Sequence, residues 1–170
     1  MPLRSKRLTL AVAIMLIAST FTGCSSMGEV VITEVDGQPC FAIPKGWSTR
    51  NGLPMHGLTV IQRNASGAAP NSKYVWSFSV EPPGATILTR PQHCMRYGAT
   101  PKLATQRESQ PLEPFQVYSV FIDAAPENSS MRGYKAEFCI KPPEAGKARV
   151  FVVPFDEKTS TWRYDLCDRP

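Results

Sequence analysis

Residues 74–80 have the sequence YVWSFSV, and this stretch is the clearest guide to the fold. Its large apolar side chains, Tyr74, Trp76, Phe78 and Val80, occupy alternate positions, with serine at 77 and 79. Because successive side chains of an extended strand point to opposite faces, the apolar side chains share one face and the serines share the other. The stretch therefore predicts a β-strand with one buried face, and its aromatic side chains are assigned to the core rather than to a ligand site.

Other strand-like segments recur along the chain and are separated by Gly, Pro, Asp and Asn. The Asp36-Gly37 step between two of them is a typical hairpin signal, and no segment has the spacing of a convincing amphipathic helix. About eight or nine short strands, with turn signals about 8–12 residues apart, predict an all-β fold. We expect an antiparallel β-sandwich, Ig-like or related, over residues 29–170. The segments are residues 29–35, 38–43, 58–63, 74–80, 85–90, 115–123, 134–140, 148–155 and 162–167.

Two parts of this prediction are specific. Residues 98–114 are polar and contain several prolines, so we expect a long connection or a break between subdomains there. In segment 134–140 the aromatic and aliphatic side chains are expected to face inward, with Lys135, Glu137 and Cys139 facing outward. The same alternation in segment 162–167 places Cys167 on an outward face.

The N-terminal residues have the organisation of an export signal. Three basic residues precede an apolar run that ends in small residues before Cys24. The run is shorter than the roughly 20 residues that a transmembrane helix needs. Residues 21–24, Phe-Thr-Gly-Cys, resemble the bacterial lipobox, in which signal peptidase II cuts before a cysteine that receives lipid. An ordinary secretory signal is the alternative interpretation, and both export the chain.

We therefore expect a signal peptide over residues 1–23, with a lipidated Cys24 and a tether over residues 24–28. Ser25 after the lipidated cysteine resembles lipoproteins sorted to the outer membrane. The expected location is the bacterial cell envelope, with the lipid in the inner leaflet of the outer membrane and the domain facing the periplasm.

Signal cleavage also changes the charge. The full chain has a formal net charge of +5. Residues 1–23 contain three basic residues and no acidic residue, so the mature chain carries +2. Lys and Arg are spread along the chain without a basic run or an interleaved aromatic motif, so we expect no nucleic-acid partner.

Four cysteines remain if Cys24 carries lipid, and an even number in an exported chain predicts two disulfides. Four cysteines allow three pairings. Because Cys139 and Cys167 both fall on outward strand faces, we prefer a bond between them, which leaves Cys40 for Cys94. A zinc site is not expected, since no two cysteines have C-x₂₋₄-C spacing.

The sequence contains no motif typical of a catalytic site, and we expect neither an enzyme nor a cofactor. His93 next to Cys94 suggests a Cys–His nucleophile, but Cys94 belongs to the even set, and adjacent residues of a strand point apart. His56 lies in a Gly- and Pro-containing segment and is expected to be a solvated loop residue.

The mature chain resembles a family of type VI secretion immunity periplasmic lipoproteins. The resemblance covers most of the mature chain and depends on cysteines, aromatic residues and strand rhythm. The segments that carry it are Gly37-Gln38-Pro39-Cys40-Phe41, Pro111-Leu112, Tyr118-Ser119-Val120, Tyr134-Lys135-Ala136-Glu137-Phe138-Cys139 and Trp162-Arg163-Tyr164-Asp165-Leu166-Cys167.

The resemblance implies an anchored binding protein that blocks a toxic effector protein in the periplasm by occlusion. Expected contact segments are residues 47–56, 64–73 and 124–132, with Trp47, Arg50, His56 and Arg132 as candidate contact residues. For Trp47, burial as a loop anchor is the alternative. For the whole protein, the alternative is a structural or accessory envelope lipoprotein that binds a resident protein or a cell-wall component.

Overall fold

The computed structural model describes residues 26–63, 72–107, 109–142 and 149–168. The signal peptide, Cys24 and most of the expected contact segment 64–73 lie outside these ranges. The described residues form thirteen strands and one short 3₁₀ helix, Tyr164–Cys167. The strands are β1 Gly28–Glu29, β2 Val31–Val35, β3 Gln38–Ala42, β4 Leu53–Gln62, β5 Lys73–Val80, β6 Ile87–Thr89, β7 Met95–Arg96, β8 Ala104–Arg107, β9 Val117–Ala124, β10 Tyr134–Ile140, β11 Val150–Val153, β12 Phe155–Asp156 and β13 Thr161–Trp162.

The fold is all-β, as predicted. The main sheet has the strand order β1-β10-β9-β4-β5-β8, with β11 added beside β10 and β6 beside β4. Its pairs are antiparallel except β1 with β10. The ten-residue strand β4 is central, because it pairs with β9, β5 and β6.

A smaller sheet, β2-β3-β7, packs against the main sheet and gives the sandwich two unequal layers. Phe41 of β3 is fully buried, with its ring centroid 6.3 Å from that of Trp76 and 5.5 Å from that of Phe138. These aromatic rings join the two layers. Trp76, Phe78 and Val80 of the period-two stripe are buried, as predicted, but Tyr74 is 57% exposed and Val75 is buried instead, because a register shift between β4 and β5 interrupts the alternation there.

The hairpin prediction is confirmed. Strands β2 and β3 pair up to Val35 opposite Gln38, which leaves Asp36 and Gly37 as the two-residue turn. Both turn residues have positive φ, 51° and 73°. This is the type I′ geometry, which follows the twist of the strands and favours an Asp-Gly step.

Three strand predictions were wrong in detail. Strand β4 begins at Leu53 rather than at 58. Strand β8 lies inside the segment 98–114, where it pairs with β5. Segment 162–167 is a strand only at its start, because the chain turns into the 3₁₀ helix at Tyr164. A period-two pattern over so few residues does not distinguish a strand from a single helical turn.

The outward side of β10 is also buried, contrary to the prediction. Glu137 and Cys139 both have 0% exposure. A second, smaller cluster covers this face and contains Val153 and Cys167, with Phe151 and Trp162 packed at its margin. The C-terminal segment therefore acts as a cover over the back of the main sheet.

Candidate functional site

The structure contains the disulfides Cys40–Cys94 and Cys139–Cys167, with Cα–Cα distances of 5.3 Å and 6.0 Å. This is the preferred pairing, but the geometry of the second bond differs from the argument that led to it. Cys139 lies on a strand and Cys167 lies in the 3₁₀ helix, and both are buried. Since Cys94 is oxidised, it is not a free thiolate beside His93.

Trp47 is the most exposed of the large apolar side chains in the described residues, at 82% exposure. It is therefore not the buried loop anchor that was the alternative. The guanidinium carbon of Arg50 lies 3.7 Å from the centre of the Trp47 ring, which is cation–π geometry. The two side chains form a single exposed unit.

Thr49 holds this loop in place from the inside. Its side chain is 2% exposed, and its hydroxyl donates to the Pro44 carbonyl at 2.6 Å and accepts from the Gly46 N–H at 2.9 Å. The Gly52 N–H donates to the Thr49 carbonyl at 2.9 Å. The loop is thus ordered by its own hydrogen bonds, and Trp47 is presented without contributing to the core. Sequence reasoning did not identify Thr49, although hydroxyl side chains commonly stabilise turns in this way.

Gly52 allows the loop to approach β6 closely. Its φ is 85°, and a Cβ at this position would lie 2.8 Å from the Thr89 carbonyl oxygen. Strand β6 pairs with the start of β4, which places the residues after Thr89 beside the Trp47 loop. The disulfide at Cys94 then ties that second segment to β3.

The two segments together line a shallow cavity of about 410 Å³. We call this surface, with the exposed tryptophan beside it, the Trp47 patch. Among the described residues no carboxylate pairs with Arg50 or Arg90. The patch consists of Trp47, Arg50, Asn51, Arg90, Gln92 and His93.

The sequence around the Trp47 patch carries a strong positive charge. Residues 37–107 contain eight Lys or Arg residues and one acidic residue, Glu81, which gives a formal charge of +7. The remaining acidic residues lie before and after this segment. The Trp47 patch therefore belongs to the basic part of the sequence.

His56 is exposed but lies in β4 rather than in a loop. The register between β4 and β9 shifts between Met55 and Gly57, which leaves His56 as the extra residue of a β-bulge. His56 lies between the buried Met55 and Gly57, so its side chain is on the opposite face of the strand, which is exposed at this position.

Arg132 lies at the same end of the main sheet as the Trp47 patch but on a different strand connection. Met55 pairs with Ala124, so the connection from β9 to β10 and the loop before β4 leave the sheet at the same end. The Arg132 N–H donates to the Ser26 carbonyl at 3.1 Å. Arg132 is therefore near the start of the described chain, and it is not among the residues that line the Trp47 patch.

A buried ion cluster lies behind the main sheet. Oε1 of the fully buried Glu137 is 2.9 Å from Lys135 Nζ and 3.3 Å from Arg63 Nη1. The other carboxylate oxygen, Oε2, has no hydrogen-bond partner in the described residues. Because Glu137 is inaccessible, its carboxylate is placed to hold Lys135 of β10 and Arg63, which follows β4, rather than to meet a substrate.

Next to this cluster is a cavity of about 300 Å³, lined in part by Tyr164, Asp165 and Asp168. Arg163 donates to both oxygens of Asp165, at 2.9 Å and 2.7 Å, and this interaction lowers the pKa of the Asp165 carboxyl. Burial raises the pKa of the Tyr164 hydroxyl. Asp165 is therefore held as an ionised partner of Arg163, which does not favour proton transfer by this residue.

The described ranges contain no cluster of three or more His, Cys, Asp or Glu residues that could hold a metal ion. They also contain no helix long and apolar enough to cross a bilayer. Comparisons with protein-family models, with curated proteins and with solved structures found no match to this chain. The functional proposal therefore depends on the residues of this chain alone.

Proposed function

We propose that this protein is a lipid-anchored binding protein of the bacterial envelope that neutralises a type VI secretion effector by direct occlusion. The observation that carries the proposal is the Trp47 patch, in which an exposed tryptophan stacks with an arginine on a loop fixed by Thr49. Trp and Arg are enriched among the residues that contribute most binding energy at protein interfaces.

Rigidity supports this role. The Trp47 loop is ordered by internal hydrogen bonds, and the neighbouring segment is tied down by the Cys40–Cys94 disulfide. A surface that is already ordered loses little conformational entropy when it binds a partner. Order in the free protein therefore favours tight binding of the effector.

Charge indicates the kind of surface that the effector presents. Arg50 and Arg90 have no carboxylate partner in the described ranges, and the surrounding sequence is strongly basic. We expect the effector to present an acidic surface around an apolar pocket for Trp47. Such complementarity raises the association rate at low salt.

The test is calorimetric titration of the mature protein with the product of the neighbouring reading frame. We expect one-to-one binding with a Kd near 1 nM, about −12 kcal/mol. Trp47→Ala should cost about 2 kcal/mol or more, which is about a 30-fold rise in Kd. Leu103→Ala is the matched control, because Leu103 is a similarly exposed apolar residue at 65% exposure outside the patch.

Two results would contradict the proposal. Absence of binding at micromolar concentration would exclude that product as the target and favour the accessory envelope lipoprotein. Equal affinity of Trp47→Ala and the unmodified protein would place the interface elsewhere.

A further inference from the structure

A second exposed surface lies beside the first described residues of the chain. A cavity of about 670 Å³ opens between β1 and the β12–β13 hairpin. We call it the Met27 groove, and define it by Met27, Glu29, Lys135, Phe155, Glu157 and Trp162. Its apolar side chains are not part of the larger core: Met27 is 46% exposed and Phe155 is 47% exposed.

The aromatic side chains of the groove are held in a fixed arrangement. Phe155 pairs with Trp162 across β12 and β13, and their ring centroids are 5.2 Å apart in a T-shaped contact. Lys135 Nζ lies 5.7 Å from the centre of the Trp162 ring. The groove therefore presents two ordered aromatic rings with a cation beside them, a combination that suits an interface between an apolar and a polar phase.

The start of the described chain is fixed next to this groove. The Ser26 carbonyl accepts from the Arg132 N–H at 3.1 Å, and the Gly28 N–H donates to the Gly133 carbonyl at 2.8 Å. Two peptide links separate Ser26 from Cys24, and two extended residues span at most about 7 Å. A lipid on Cys24 would bring the bilayer surface to this edge of the domain.

We propose that the Met27 groove is the surface by which the domain rests on the membrane, with Phe155 and Trp162 at the level of the lipid headgroups. This inference rests on the lipid anchor of the proposed function. Trp is enriched at membrane–water interfaces because one part of the ring is apolar and the N–H is polar. Contact at a second point, added to the anchor, fixes the orientation of the sheet and therefore the direction in which the Trp47 patch faces.

The charges of the groove indicate which headgroups it meets. Glu29 and Glu157 contribute carboxylates, and Lys135 contributes an ammonium group that also pairs with Glu137. This mixture of charges suits a zwitterionic headgroup layer, in which the ammonium of phosphatidylethanolamine can meet the carboxylates. A strongly anionic layer would repel them.

The test uses the full acylated protein in vesicles of phosphatidylethanolamine with a minor fraction of phosphatidylglycerol, made with or without bromine in the acyl chains. Bromine quenches the fluorescence of nearby tryptophan. Two variants separate the fluorescence of the accessible tryptophans. In Trp47→Phe the half-buried Trp162 is the accessible tryptophan, and in Trp162→Phe it is the exposed Trp47. Trp76 is buried in both variants and supplies a constant background.

We expect brominated vesicles to reduce the emission of Trp47→Phe and to leave that of Trp162→Phe unchanged. A protein that floats with vesicles but shows no quenching of Trp162 would overturn the membrane-facing groove and leave effector binding untouched. Concentration-dependent dimers without quenching would assign the groove to a second copy and also overturn it. If the protein and Cys24→Ala both fail to float, the anchor itself is wrong, and the groove proposal fails with it.

Discussion

Replacement of Glu137 by leucine should destabilise the fold by about 3 kcal/mol. At an effective dielectric constant of about 20, unit charges at the observed distances of 2.9 Å and 3.3 Å attract by about 5–6 kcal/mol each before desolvation is subtracted. Removing one partner of a buried ion pair typically costs about 3–5 kcal/mol. We expect the lower end, because Lys135 and Arg63 side chains keep 32% and 21% exposure and can regain water.

Urea denaturation of the oxidised protein, followed by circular dichroism, measures this change. A loss of about 3 kcal/mol corresponds to a fall in Tm of about 6–12 °C for a domain of this size. Glu137→Gln is the matched control, since it preserves the shape and one hydrogen-bond acceptor, and it should cost less. In a double-mutant cycle with Lys135→Met, the two changes should be non-additive by about 1 kcal/mol or more. A loss below about 0.5 kcal/mol, typical of a surface substitution, would refute the argument that the ion pairs of Glu137 stabilise the fold.

Two further predictions concern stability. Burial raises the pKa of the Tyr97 hydroxyl above its ordinary value of 10.0, so the unfolded state loses this proton first and the free energy of unfolding should fall as pH rises above about 10. Tyr97→Phe should reduce this decrease in the free energy of unfolding with pH, and the control Tyr74→Phe, at an exposed position, should not. Denaturant titrations at several alkaline pH values measure the dependence. An equal pH dependence for both variants would contradict the role given to Tyr97. Replacing Cys139 and Cys167 together by alanine should lower the free energy of unfolding by about 3.5 kcal/mol, because the bond closes a loop over a separation of 28 residues. A variant with an unchanged urea midpoint would show that the bond does not stabilise the fold.

Local sequence chemistry predicted much of the sheet. The hairpin at Asp36-Gly37 was predictable because both turn residues need positive φ, and the Asp-Gly step tolerates it. The strand at 74–80 was predictable because apolar side chains alternate with serine from Trp76 to Val80, although Tyr74 is exposed in the structure. In both cases the decisive interactions are within a few residues of each other.

The Trp47 patch was predicted only in part. The sequence identified Trp47 and Arg50 as candidate contact residues, and the structure stacks them. It did not predict that Arg90 and His93 line the neighbouring cavity, because that depends on β6 pairing with the start of β4. His56 and Arg132 were candidates from the expected contact segments 47–56 and 124–132, and the structure places His56 at a bulge and Arg132 beside Ser26.

The sequence by itself determined the all-β class, the buried stripe of Trp76, Phe78 and Val80, and the turn between β2 and β3, since each follows from period-two alternation or from the φ preferences of one or two residues. Only the tertiary structure decided that β10 is covered on both of its faces. Alternation shows that Glu137 and Cys139 lie opposite Phe138, but it cannot show whether a distant segment packs over them. The C-terminal cover, brought there by Cys167, buries that face and converts a charge expected in solvent into a buried ion cluster. Burial of a second sheet face is a contact between residues far apart in the chain, and for that reason no local pattern records it.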